Sequence, residues 1–564
     1  MNSTDVRVAE LPPPEKREDQ PAVFSRRDKT LALAGTLAAL FMAGLDQTIV
    51  ATAGPEIQRD LQIPAALYAW ITTAYLIAST VMLPIYGKLS DLYGRKPILL
   101  TGVGLFLFGS LLCGFAPTTA FLIGARAVQG LGSASLFTTT LAVIADLFPP
   151  NERGKYMGLI GVVMGISSVA GPIVGGLITD QLGWHWIFFI NLPVGLVATW
   201  LIVTHMPSIG GRDGREIRID YAGAAWLVLA TVPLILAISI ASNTSPGQPG
   251  WTSPMILGML GASVLGITGF IRTERTAPEP IIDLQLFRRN PTVARATATM
   301  FVLGGTFLFT VIFVPLFLVN VKGESATEAG LSLAWMTAAM VGTSVVAGQL
   351  ASRAGHVKRI LLIAVGLVAV AFFLLYATLS GDSSVREISL MVFLIGLGLG
   401  PTLPLYTLLV QNAAEPRQIG AVTSGSIFSR AVGQVMGLAF FGAVFAATLG
   451  SALTRGTAPI LADVPAAVQP LLLPTAEQGE GEGLQSSVSF DAAAIRARVE
   501  ADPTLGSAEK SSALSAVDRV EQVFADSMAG AISRLYLLGF FLSLVALALT
   551  AWIPVDEGLK PRRG

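Results

Sequence analysis

The hydrophobic pattern of this chain is one apolar run after another, many of 18 residues or more, each closed by a short polar knot. Inside a bilayer a backbone must satisfy its own hydrogen bonds, so runs of this length read as membrane-spanning helices. The spans fall at 29–52, 66–86, 97–116, 119–145, 154–179, 185–205, 222–241, 253–271, 295–320, 326–351, 357–379, 388–411, 419–450 and 529–553. That makes about fourteen, and the buried helices of a large soluble protein do not account for so many. The predicted class is an all-α membrane protein.

Composition agrees: 52% of the residues are hydrophobic and 13% charged, where a soluble domain carries about 25% charged. An even number of spans puts both termini on one side. The N-terminal tail, alternate loops and C-terminal tail hold roughly 25 Lys and Arg, against roughly 3 in the short loops opposite, which predicts cytoplasmic termini. Residues 1–28, with Pro12-Pro13-Pro14, read as a disordered cytoplasmic tail, and 554–564 as a second one. The apolar core comes too late for a signal peptide. Cys113 is the only cysteine, so no internal disulfide can form. The formal net charge is zero and the positive residues are spent on topology, which leaves no sign of a nucleic-acid partner.

Six spans occupy 29–205. A linker with Arg212, Arg215 and Arg218 and two further spans fill 206–271, a cytoplasmic loop follows at 272–294, and six more spans occupy 295–553. A charged hairpin after the second span of each six points the same way. The first reads Gly87-Lys88-Leu89-Ser90-Asp91-Leu92-Tyr93-Gly94-Arg95-Lys96-Pro97. The second, degraded copy runs from Gly348 to Lys358, with Ser352 standing for Asp91. Two related six-helix bundles around a midplane site is the architecture of a secondary transporter. The segment 451–528, between the last two spans on the external side, stands apart. It holds a Gly/Glu-rich patch at 478–483 and an amphipathic stripe of Leu514, Val517, Val520, Phe524 and Met528. That stripe suits a packed stalk, a lipid-facing ramp or a partner surface.

Ionisable residues inside spans cost about 2.5–3.5 kcal/mol each on insertion scales and are functional candidates by default. Three stand out: Asp46, Arg126 and Arg430. Arg295 and Arg534 lie close enough to span ends to snorkel. Asp46 is the candidate proton carrier, because desolvation favours the neutral acid and a nearby arginine favours the carboxylate. Arg126 and Arg430 keep their charge and act as fixed cations in the same proton-coupling set. The fifth span carries Gly154, Gly158, Gly161, Gly165, Gly171-Pro172 and Gly175-Gly176 on nearly one face, which predicts close helix packing and a kinked hinge at Pro172. In the hairpin, Gly87, Asp91, Gly94, Arg95 and Lys96 form a candidate latch. Asp91 would accept from a neighbouring helix N-terminus, while Arg95 and Lys96 face the cytoplasm. No phosphate-binding loop, metal-ligand cluster or nucleophile–base pair is present; His185, His205 and His356 are scattered near span ends. Neither direct ATP drive nor catalysis is expected.

These residues resemble the major facilitator superfamily, and within it the 14-span drug:proton antiporter branch. Gly87 to Pro97 is similar to that family's loop motif, and Arg126-x-x-Gln129-Gly130-x-Gly132 to its fourth-span motif. Gly165 through Gly171-Pro172-x-x-Gly175-Gly176 resembles its antiporter motif. Leu45-Asp46-x-Thr48-Ile49-Val50 with Pro55 resembles its first-span motif, although Gly54 stands where Leu is usual. Trp184 to Pro193 is also typical. The resemblance covers 29–450 and 529–553. It implies two six-helix bundles plus two inserted helices, Asp46 as coupling acid with Arg126 as its partner, and fifth-span glycines as the exporter hinge. It implies export of amphipathic, often cationic compounds from the cytoplasm or inner leaflet of the bacterial inner membrane. The proton gradient would be the energy source and no cofactor is needed. The insertion 451–528 departs from the pattern and resembles lipid-exporting members, in which an arginine like Arg430 is implicated. A lipid is therefore the second substrate class, and the segment leaves room for a periplasmic adaptor or lipoprotein partner. A non-transporting sensor would call for a soluble signalling domain, which is missing.

Overall fold

The computed structural model describes residues 25–63, 65–68, 70–211, 219–241, 249–324, 326–381, 383–464, 469, 492–501 and 506–554. The expected tails at 1–28 and 554–564 fall almost wholly outside the described residues, as do parts of the 206–220 linker and of 451–528.

Fourteen helices among the described residues are long and apolar enough to span a membrane. The N-terminal six are α1 (Arg26–Asp60), α2 (Trp70–Tyr93), α3 (Arg95–Gly114), α4 (Thr119–Leu147), α5 (Pro150–Leu182) and α6 (Trp186–His205). Next come α7 (Tyr221–Ala241) and α8 (Pro254–Glu274). The C-terminal six are α9 (Pro291–Asn320), α10 (Ala326–Ala354), α11 (Val357–Thr378), α12 (Val385–Ala413), α13 (Ile419–Ala462) and α14 (Ser507–Ala551). Caps written into the sequence start several of them. Ser25 accepts from the amide of Asp28, Thr118 from Phe121 and Ser253 from Ile256. Ser384 and Glu387 form a reciprocal capping box on α12. Between α2 and α3 the chain turns at Gly94, whose φ of 94° suits only a residue without a side chain.

The helices outrun the hydropathy that predicts them. The charged hairpin is helical through Tyr93, so Gly87 and Asp91 sit on the last turns of α2 and not in a loop. At the other end of the chain, α13 has 44 residues and α14 has 45, where about 20 cross a bilayer.

Within each bundle, small residues let backbones touch. A Cβ on Gly109 or Gly132 of α4's contact with α3 would meet backbone of the opposite helix, and one on Gly433 would overlap the Phe301 carbonyl of α9. The C-terminal core is aromatic: Phe309 stacks on Phe441 at 4.1 Å, and Phe313 packs against Phe445 at 4.9 Å. The two bundles meet through α2 with α13 and α5 with α10, second helix on fifth in both cases, an arrangement with pseudo-twofold symmetry. The inserted pair α7–α8 packs on itself through Gly266 and a 2.6 Å bond from Ser263 Oγ to the Ala230 carbonyl, and leans on α2 and α13.

We call the side on which α1 begins and α14 ends the basic face. On the opposite side, α13, α14 and the short helix Ala492–Ala501 form a stalk around Ile460, Ile495, Val499, Val517 and Val520. Of the amphipathic stripe, Val517 and Val520 are buried in this stalk with Leu514 packed against it, whereas Phe524 and Met528 join the core of the C-terminal bundle beside Phe445 and Leu449.

Candidate functional site

Asp46 lies on α1, fully buried, and α4 and α6 supply its partners. Arg126 Nη1 donates to Asp46 Oδ2 at 2.6 Å, and the two side chains are 1% and 0% exposed. Gln129, one turn along α4, donates from Nε2 to Asp46 Oδ1 at 2.7 Å and accepts from Arg126 at 2.7 Å. Asn191 Nδ2 adds a third donor to the carboxylate at 3.1 Å and also donates to Ser110 Oγ at 3.0 Å. The guanidinium of Arg126 sits 4.4 Å from the Tyr75 ring centroid, and its Nε reaches the Ile71 carbonyl at 3.3 Å. A buried charge survives only when paired and hydrogen-bonded, and here one carboxylate and one arginine neutralise each other inside a ring of amides. One atom is left over: Asn191 Oδ1 is buried without a hydrogen-bond partner.

Sequence reasoning brings Asp46 and Arg126 to notice and misses that Gln129, Asn191, Ser110 and Tyr75 gather around them. Gln129 and Asn191 both fall inside quoted motifs, but a neutral amide in a span carries no insertion penalty comparable to a charge. Arg430, grouped with Asp46 and Arg126 from the sequence, is not brought to them. It lies on α13 with its guanidinium carbon 5.7 Å from the Phe307 ring, without an ion-pair or hydrogen-bond partner among the described residues. Among the described residues no group of three His, Cys, Asp or Glu is placed to hold a metal.

The latch residues gather at the basic face. Asp91 Oδ1 accepts from the Gly420 amide at 2.9 Å and Oδ2 from Ala421 at 2.7 Å, which ties the end of α2 to the N-terminus of α13 in the other bundle. Gly87 allows this approach, because a Cβ there would overlap Ser424. Arg95 departs from the sequence reading. It is 2% exposed and not directed to water, bridging Asp91 at 2.6 Å and Asp146 at 2.7 Å. Lys96 is turned to the end of α6, donating to the carbonyls of Val203 and Met206. Lys88 pairs with Glu279 at 3.0 Å, which ties the loop after α8 to the same end of α2. The second hairpin copy makes the symmetric contact, with the Lys155 amide of α5 donating to Ser352 Oγ at 2.8 Å. A single neutral bond thus stands where Asp91 makes two charge-assisted ones.

The fifth-span glycines do not share one neighbour. Gly154, Gly158, Gly161 and Gly165 face α10, whereas Gly171 and Gly175 face Thr48, Ile49 and Thr52 of α1, and Gly176 meets nothing within 4 Å. The helix changes partner across Pro172's turn: its first half joins the two bundles and its second half belongs to its own. Gly171→Val should therefore lower the thermal unfolding midpoint through a clash with Thr48, an overpacking cost of about 1–3 kcal/mol. Gly176→Val should leave it unchanged, and equal effects of the two would refute the partner switch.

The family model described as Major Facilitator Superfamily matches residues 36–438. Multidrug transporter protein MdtP of Bacillus subtilis (strain 168) is 37% identical over 438 residues, 78% of this chain and 79% of that one. Multidrug resistance protein 3 of the same organism is 37% identical over 413 residues, 73% and 78% of the two chains. Among solved structures, the human organic anion transporter MFSD10 shares the fold with a TM-score of 0.56 at 14% identity, covering 91% of this chain and 99% of its own. The chain belongs to the major facilitator superfamily. It is a multi-pass membrane transporter and not an enzyme.

Proposed function

We propose that this transporter exports amphipathic, often cationic drugs or toxic compounds from the cytoplasm or inner leaflet, in exchange for protons, by alternating access. The observation that carries the reading is Asp46: a carboxylate with no exposure, held by one arginine and two amides in the middle of a bundle. The names of its relatives, a multidrug transporter and a multidrug resistance protein, support the substrate class. In this reading the Lys and Arg bias makes the basic face cytoplasmic, and the bacterial relatives support the bacterial inner membrane as its location. The hydrogen bonds between the bundles among the described residues lie on that face, so this is the conformer with its cytoplasmic gate shut. A proton arriving at Asp46 weakens its hold on Arg126. The free Asn191 Oδ1 supplies an acceptor for the new acid O–H once the amide turns over. The proton gradient is the only energy source in this scheme and no cofactor takes part.

The test is substrate-dependent proton movement in liposomes, with a lipophilic cation and then a lipid as substrate. Proton flux with the cation supports antiport; cation transport without it refutes the coupling. One observation favours a second reading, lipid or glycolipid export by the same machinery. The stalk of α13, α14 and Ala492–Ala501 is a projection on the side opposite the basic face, closed around its own apolar core, against which a lipid, or an adaptor protein that receives it, can be met. Deleting residues 465–525 should spare drug export and abolish lipid export.

A further inference from the structure

A cavity of about 610 Å³ opens at the basic face on the seam between the bundles, walled by the starts of α5, α9 and α13 and the end of α12. Its two charges are Arg153 and Arg289, and no carboxylate is among its lining residues; Glu152 and Glu415, close in sequence, are outside the wall. Arg153 is half-buried and spends its donors on neutral acceptors, the Phe148 carbonyl at 3.0 Å and Asn412 Oδ1 at 2.8 Å. The nearby Asp146 is already taken by Arg95 at 2.7 Å. Arg289 is exposed and bonded to Gln285. The positive ends of α5, α9 and α13 meet the negative end of α12 at this wall, which leaves the balance of helix ends positive.

Two further polar atoms of the wall residues have no hydrogen-bond partner among the described residues. Asn412 gives its oxygen to Arg153, and its Nδ2 is buried with no partner. Gln411 is 1% exposed. Its Nε2 is committed to the Leu141 carbonyl and Thr423 Oγ1, and its Oε1 is buried with no partner. Orphaned buried polar atoms are uncommon in folded proteins and call for an explanation. The wall thus offers two guanidinium groups and an amide donor beside one unsatisfied acceptor, which is complementary to a phosphate that carries a neighbouring hydroxyl.

We propose that this cavity binds a glycerol phosphate group, with the phosphate on Arg153, Arg289 and Asn412 and a glycerol hydroxyl donating to Gln411. Arg153 comes from one bundle and Gln411, Asn412 and Arg289 from the other side of the seam. The ligand therefore favours the conformer closed at the basic face, whatever cargo the transporter moves. The group can come from a phosphatidylglycerol headgroup or from a soluble phosphate ester.

Purified full-length protein would be melted in phosphatidylcholine nanodiscs with and without phosphatidylglycerol, and in neutral detergent with sn-glycerol 3-phosphate or ethyl phosphate. Stabilisation by phosphatidylglycerol alone identifies a lipid site, and stabilisation by glycerol phosphate in detergent identifies a soluble ligand. Arg289→Gln should weaken binding about tenfold, the loss of one charge-assisted contact, and Arg153→Gln at least as much. Arg288→Gln removes an equal charge from the same exposed turn, outside the cavity wall, and should change nothing. Ethyl phosphate should bind more weakly than glycerol phosphate; equal binding would remove Gln411 from the site. Stabilisation by neither source, or equal weakening by Arg288→Gln and Arg289→Gln, would overturn the proposal.

Discussion

Asp46→Asn should abolish substrate-coupled proton movement while leaving a folded, membrane-inserted protein. Asparagine matches the shape but not the charge, so Arg126 is left as a buried cation with only neutral side-chain oxygens to accept from it, that of Gln129 and the introduced amide. Removing one partner of a buried pair typically destabilises by about 3–5 kcal/mol, and the thermal midpoint should fall accordingly. A loss of transport in the single variant therefore has two explanations, a lost proton carrier or a weakened bundle. The double variant Asp46→Asn, Arg126→Gln separates them. It replaces the ion pair with two neutral amides of nearly the same volume and should recover most of the lost stability, a coupling read by the double-mutant cycle. If Asp46 carries the proton, the double variant melts near wild type and still moves no protons. Restored proton flux in the double variant would show that Asp46 is structural and that the coupling acid lies elsewhere.

The parts of this site that the sequence reveals are the parts with a large solvation cost. A carboxylate and an arginine inside apolar runs are conspicuous, because the bilayer tolerates them only for a reason. Asn191 and Ser110 share the cluster but are neutral, and neutral side chains occur throughout membrane helices. Only the distances of 3.0–3.1 Å made by Asn191 set it apart. Helix ends were hidden for a related reason. Hydropathy reports where the chain leaves the hydrocarbon, whereas the helix stops where its backbone bonds stop. Ser90, Asp91 and Tyr93 are polar enough to end a span and compatible with another turn of α2. The glycine row of α5 was legible as close packing. Its change of neighbour between Gly165 and Gly171 was not, because spacing along one helix says nothing about which helix lies opposite. Arg95 shows the same limit: a basic residue at a span end reads as a topology signal until Asp91 and Asp146 are found on either side of it.

Asp91→Ala should open the basic face. In the closed conformer its carboxylate is 4% exposed, caps two amides of α13 and holds Arg95. Alanine leaves those two donors without their acceptor and leaves Arg95 with Asp146 alone. Breaking such a buried arrangement costs about 3–5 kcal/mol. Much of that cost falls on the closed state only, because parting α2 from α13 exposes the same groups to water in either protein. A differential of about 3 kcal/mol shifts the closed-to-open ratio roughly a hundredfold, enough to make a minor open state dominant if the two start within that range. The effect is asymmetric between the two hairpins. Ser352→Ala removes one neutral bond to Lys155, worth about 0.5–1.5 kcal/mol, and should move the ratio about tenfold at most. Spin labels on introduced cysteines at the basic-face ends of α2 and α13 would read both, and the chain's own Cys113 is buried and leaves the background quiet. A longer distance in Asp91→Ala, with a smaller change in Ser352→Ala, is the expected pair of results. Unchanged distances in Asp91→Ala would mean that α5 against α10, glycine on glycine at Gly154 and Gly348, holds the gate by itself.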